Sequence, residues 1–95
     1  MAADNPVQQA ELEIVNRLGL HARAAARFVA VASEYTADIE VRFNGNEANG
    51  KSIMGLMMLA AGQGSVLSVT TRGDDGSQAL LALGALLADR FGEAD

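Results

Sequence analysis

Three stretches of the chain alternate strictly between apolar and polar residues. Leu12 and Ile14 alternate with Glu11 and Glu13, and Leu67 and Val69 with Ser68 and Thr70. Between them, Ala37, Ile39, Val41 and Phe43 alternate with Asp38, Glu40 and Arg42. A period of two gives an extended chain one apolar and one polar face, so each stretch reads as a half-exposed strand. Asn44-Gly45 follows the middle one, and both residues tolerate positive φ, as a tight hairpin requires. A short polar return strand is expected over residues 46–49. Elsewhere the period lengthens. From His21 to about Glu34, Ala22, Ala25, Ala26, Val29 and Ala32 fall near helical spacing, with Arg23, Arg27 and Glu34 elsewhere around the axis. Ser52 to about Ala60 reads as a short apolar helix ended by Gly62 or Gly64. Asp74-Asp75-Gly76-Ser77 offers caps for a last helix reaching Phe91, whose core stripe is Leu80, Leu83, Gly84 and Leu87.

The element order is therefore β-α-β-β-α-β-α, an α+β arrangement. Every strand keeps a polar face, so the sheet is expected to be antiparallel or mixed with helices on one side only. Residues 1–9 read as a polar tail, residues 10–92 as one domain, and residues 93–95 as a short C-terminal tail. Composition narrows the chemistry. Cysteine is absent, which removes thiol nucleophiles, disulfides and thiolate metal sites. Apolar residues make up 49% of the chain, yet no run reaches the ~20 residues needed to span a bilayer. The start, MAADNPVQQA, has no basic region followed by an apolar stretch, so the expected location is cytoplasmic, with no membrane partner. Net charge is -5, and there are three Phe, one Tyr and no Trp. Neither the charge nor the aromatic content suits nucleic acid. An acidic surface suits partners that present a basic or apolar face.

One motif invites a misreading. Gly45-Asn46-Glu47-Ala48-Asn49-Gly50-Lys51-Ser52 satisfies G-x-x-x-x-G-K-[ST], the phosphate-cradling loop of nucleotide-binding domains. Such a loop needs a buried parallel sheet and a second strand ending in a magnesium-binding acid. The downstream strand instead has a wet face carrying Ser68 and Thr70, and the Asn44-Gly45 turn claims the backbone the loop would use. The match is read as coincidence.

The lone histidine, His21, opens the first helix in Gly19-Leu20-His21-Ala22-Arg23-Ala24. A histidine at a helix start is often inert. Here the first turn presents the backbone N–H groups of Ala22, Arg23 and Ala24, an anion-binding arrangement. Arg23 adds a planar fork matched to phosphoryl oxygens. The positive helix end and the guanidinium both disfavour an extra positive charge on the ring, which leaves a ring nitrogen free as a nucleophile. No second base, metal cluster or nucleotide site accompanies the histidine, so no enzyme, cofactor or metal is expected.

Two motifs, GLHARAAARFV around His21 and GKSIMGLMMLAA around Ser52, resemble the histidine-containing phosphocarrier HPr of the bacterial phosphotransferase system over roughly residues 10–92. That resemblance implies an open-faced β-sandwich, a four-stranded antiparallel sheet with three helices on one face. It implies that His21 takes a phosphoryl group at Nδ1 from phospho-enzyme I and delivers it to a histidine of an enzyme IIA domain, with Arg23 as the active-site arginine. The expected carrier is a monomer. The family usually has proline after that arginine, whereas this chain has Ala24, which keeps a donor N–H at the helix end. Alanine-bearing sequences resemble proteobacterial and nitrogen-regulatory branches, so a regulatory phospho-switch without sugar transport is the alternative.

Ser52 is first of all an N-cap serine. The resemblance adds regulatory phosphorylation there by HPr kinase/phosphorylase, and phosphate is tolerated at a helix N-terminus. One helical face cannot bury Ile53, Met54, Met57 and Met58 together. Ile53, Met54 and Met57 are therefore expected to form a polarizable docking patch bordered by Arg17, Leu20, Arg27 and Lys51, with Leu56 and Met58 less exposed.

Overall fold

The computed structural model describes residues 6–95, so part of the expected N-terminal tail, residues 1–5, lies outside the described residues. Strand β1 (Val7–Glu13) is followed by helix α1 (Ala22–Ala32), strands β2 (Asp38–Phe43) and β3 (Asn46–Asn49), helix α2 (Ile53–Met57), strand β4 (Val66–Arg72) and helix α3 (Gly76–Ala88). The strands form one antiparallel sheet in the order β1-β4-β2-β3. β4 lies between β1 and β2, with Leu12 opposite Leu67 and Val41 opposite Val69. Alternation decides the faces. Ile39, Val41, Leu67, Val69 and Thr71 point into the core, while Asp38, Arg42, Val66 and Arg72 are exposed.

Phe28 of α1, Leu56 of α2 and Leu83 and Leu87 of α3 cover the buried face and close the core. Each such side chain contributes about 1.5–3 kcal/mol by leaving water. Ala24, Ala25 and Ala32 are fully buried on α1. Their small volume lets this helix lie close to both α2 and α3.

The elements depart from the sequence expectations mainly at their ends. β1 begins at Val7, inside the expected polar tail of residues 1–9, because Val7, Gln8 and Gln9 pair with Arg72, Thr71 and Thr70. Backbone pairing along β4 recruits these residues despite their exposed side chains. α2 has only five residues. The first left-handed residue after it is Ala60, at φ 54°, ahead of Gly64 at 88°. Asp75 occupies the N-cap of α3 but does not cap it. Its carboxylate instead accepts the backbone N–H groups of Thr36 and Ala37, both at 2.8 Å, and braces the start of β2.

The last helix stops at Ala88, short of Phe91. A single turn of 3-10 helix, Arg90–Gly92, then reverses the chain, with φ of 57° at Arg90, 55° at Phe91 and 79° at Gly92. Two consecutive non-glycine residues in the left-handed region are costly. The buried Phe91 ring and a hydrogen bond from Arg27 Nη1 to the Phe91 carbonyl hold them there. Residues 93–95 are consequently folded back on the domain rather than forming a free tail. The segment that mimics a phosphate loop is a hairpin: Asn44 and Gly45 carry φ of 54° and 82°, and β3 follows at once. The ammonium of Lys51 is bound to the Tyr35 carbonyl at 2.7 Å.

Candidate functional site at the start of the first helix

The loop between β1 and α1 is fixed by a close backbone approach. Gly19 has φ of 70°, and a Cβ built on it would lie 2.8 Å from both the Ala61 carbonyl oxygen and Gly62 Cα. Leu20 N–H donates to the same Ala61 carbonyl at 2.9 Å. His21 then becomes the N-cap of α1 with extended backbone, and its carbonyl accepts Ala25 N–H at 2.8 Å. Among the described residues, the N–H groups of Ala22, Arg23 and Ala24 have no backbone acceptor. The structure thus forms the helix end that the sequence predicts.

The imidazole does not cap the helix, and its Nε2 lies 2.5 Å from Glu93 Oε2. The other carboxylate oxygen, Oε1, accepts from Asn16 Nδ2 at 2.9 Å, and that amide also donates to the Gly19 carbonyl at 2.8 Å. Asn16 is completely buried, while the His21 side chain keeps 28% of its surface open to solvent. Burial pushes the Glu93 carboxyl up. The hydrogen bonds from His21 and Asn16, with the positive charge of Arg27 nearby, outweigh it and hold the group below its usual value. An ionised Glu93 can only accept, so Nε2 is the donor in this pair. Among the described residues, Nδ1 has no hydrogen-bond partner.

His21 lies on the wall of a cleft of about 340 Å³ that Arg17, Arg23, Arg27 and Glu93 also line. Arg23 is exposed and has no acidic or carbonyl partner among the described residues. Arg27 is engaged with the Phe91 carbonyl, and Arg17 Nε sits 3.5 Å from Asp95 Oδ2. The Arg17 pair is well exposed and worth little. Three guanidinium groups and the imidazole share one open recess at the start of α1, which can receive an anionic group beside a nucleophile.

Ser52 Oγ accepts Gly55 N–H at 3.0 Å, so the serine caps α2 as predicted. Beside it Ile53 is 42% exposed, Met54 72%, Met57 43% and Met58 78%, while Leu56 is fully buried. The expectation for Met58 is corrected: the helix has ended at Met57, and the following residue turns outward. Leu20 is also corrected from surface contact to core, at 5% exposure; the apolar side chain exposed in that loop is Leu18. The Gly19 turn separates the two. Lys51 lines a different depression, with Asp38, Glu40 and Glu47, and its Nζ is already bound.

Sequence reasoning missed Glu93 and Asn16 as parts of the site. Glu93 lies in what reads as a charged tail, and Asn16 in what reads as a surface turn. A buried side-chain amide could have been sought at Asn16, but no local signal joins two residues 77 positions apart.

The family model described as "PTS HPr component phosphorylation site" matches residues 8–89. The chain belongs to the HPr family. It is similar to the phosphocarrier protein HPr of Cupriavidus necator, with 46% identity over 92% of this chain and 98% of that one. A phosphocarrier protein NPr of Shewanella violacea is 39% identical over 88% of this chain and 92% of the relative. The crystal structure of HPr-C-His from Thermoanaerobacter tengcongensis superimposes with a TM-score of 0.88 and 42% identity, covering 93% of this chain and 99% of that one. The HPr fold, an antiparallel four-stranded sheet with three helices, is as the sequence resemblance implies. Membership makes the chain a phosphocarrier of the bacterial phosphotransferase system, a family that works with enzyme I and enzyme IIA components. No helix among the described residues is long and apolar enough to cross a membrane.

Proposed function

We propose that His21 is the residue that carries the phosphoryl group, receiving it from phospho-enzyme I and passing it to a histidine of an enzyme IIA domain. The observation that supports this most is the placement of a partly open imidazole at an N-cap, with unpaired first-turn amides behind it and an unpartnered Arg23 in the same cleft. The nitrogen lone pair attacks phosphorus, and the phosphoryl oxygens meet the amides of Ala22 and Ala24 and the Arg23 fork. A single exposed arginine and a helix end are modest binders, which suits a group that must leave again. Ile53, Met54 and Met57, joined by Met58 and Leu18, form the docking surface for both partners, with Arg17 and Arg27 at the cleft itself. Ser52 is a regulatory site for HPr kinase/phosphorylase. Phosphate there replaces the serine oxygen as acceptor at the start of α2 and sets negative charge beside the docking surface.

A nitrogen-regulatory role without sugar transport is the second reading, favoured by the similarity to an NPr protein and by Ala24 in place of proline. Incubation with phosphoenolpyruvate and enzyme I tests the primary reading. Acid-labile phosphate is expected on the wild-type chain and none on His21→Ala; a wild-type chain left unlabelled overturns the assignment. Onward transfer to a sugar-specific IIA domain favours transport, and transfer confined to a regulatory IIA domain favours the second reading.

A further inference from the structure

We infer that Glu93, held by the buried amide of Asn16, is a positioning residue that fixes the Nε2–H tautomer of His21 and so reserves Nδ1 for phosphorus. The inference rests on the proposed role of His21 and adds a residue to it. Glu93 Oε2 lies 2.5 Å from Nε2, and Asn16 Nδ2 grips the other oxygen at 2.9 Å. Asn16 is itself anchored to the Gly19 carbonyl in the loop that places the histidine. The chain brings Glu93 there at a cost, through left-handed residues at 90 and 91. Strain of this kind persists only where the surroundings over-determine it, and here Arg27 and the buried Phe91 ring do so.

A neutral imidazole carries its proton on either nitrogen, and the hydrogen bond made by one nitrogen determines what the other can do. With Nε2–H donated to a carboxylate, the lone pair resides on Nδ1. The transfer then needs no proton movement at His21. A P–N bond forms at Nδ1, the donor's P–N bond breaks, and its electron pair returns to the donor nitrogen. The His21 ring, still bearing Nε2–H, becomes cationic, and the Glu93 carboxylate faces that charge. Departure of the phosphoryl group to the next histidine reverses these changes and restores the neutral ring.

Nitrogen-15 chemical shifts of the His21 ring, recorded without phosphate at a pH where the ring is neutral, read the tautomer directly. A dominant Nε2–H form is expected in the wild-type chain and a mixture of both forms in Glu93→Ala. Asn16→Ala, which leaves the carboxylate but frees it to move, is expected to lie between them. Phosphoryl transfer from phospho-enzyme I is expected to slow about tenfold in Glu93→Ala, the loss that fits one charge-assisted hydrogen bond. That loss should fall on kcat and leave KM unchanged. Identical tautomer ratios in the wild-type and Glu93→Ala chains overturn the inference. A wild-type chain that takes no phosphate overturns the role of His21 instead, and the nitrogen shifts still decide whether Glu93 sets the tautomer.

Discussion

Arg23 and Ala24 differ in what they bring to the same first turn of helix. Arg23 supplies an exposed guanidinium with no partner among the described residues, so no existing contact would have to break for it to meet a phosphoryl group. Arg23→Ala is expected to lower the rate of phosphoryl acceptance by roughly tenfold, as loss of one charged hydrogen-bonding pair does. Its circular dichroism spectrum should not change, because the side chain packs against nothing in the core. Ala24 is fully buried, and what it offers the helix end is its backbone N–H. Its N–H has no backbone acceptor, so Ala24→Pro removes a donor without breaking a helical bond. A shorter phosphohistidine lifetime in Ala24→Pro is the expected result; an unchanged lifetime and transfer rate would show that the donor is unused.

Each element end is where the site is made. Gly19 allows the loop before α1 to press against Ala61 and Gly62, and both positive φ and lack of space exclude a side chain. Gly19→Ala is expected to destabilise the fold by about 1–3 kcal/mol, measurable by denaturant unfolding, and to weaken phosphoryl acceptance by shifting the His21 N-cap. The interiors of the elements were legible in the sequence because periodicity reports burial, as it does for Ile39 and Val41 against Asp38 and Arg42. Their ends were not. Val7 to Gln9 join β1 through backbone pairing that carries no side-chain signature, and the reversal at Arg90 to Gly92 depends on Phe91 finding a core built from the whole chain. The helix starts at His21 and Ser52 were legible because capping and first-turn chemistry are local. The Glu93 contact was invisible for the opposite reason, since it closes across 72 residues.

Across the whole molecule, two carboxylates tie distant segments together and give the fold an acid limit. Asp75 is held below its ordinary value of 3.8, chiefly by the Thr36 N–H against some desolvation, with help from Ala37. Glu93 is likewise held below 4.5, its bonds to His21 and Asn16 outweighing burial. Both folded-state values lie under the unfolded ones, so their stabilisation is present above the ordinary carboxyl range and is lost as pH falls through the folded values. The Tm is expected to drop below about pH 4. Asp75→Asn should be less stable at pH 7 and show a shallower acid limb, and parallel limbs would exclude Asp75 as a source. The exposed methionines act at the same scale. A charge placed among them by Met54→Glu is expected to raise KM for phospho-enzyme I with little change in kcat, which separates docking from chemistry.

The hook after the last helix also sets an order of events during synthesis. The imidazole leaves the ribosome long before the carboxylate that steadies it, and the two meet only when the final helix has docked and the reversal behind it has closed. A chain whose last helix has not yet docked therefore presents its histidine without the carboxylate that meets Nε2 in the finished fold.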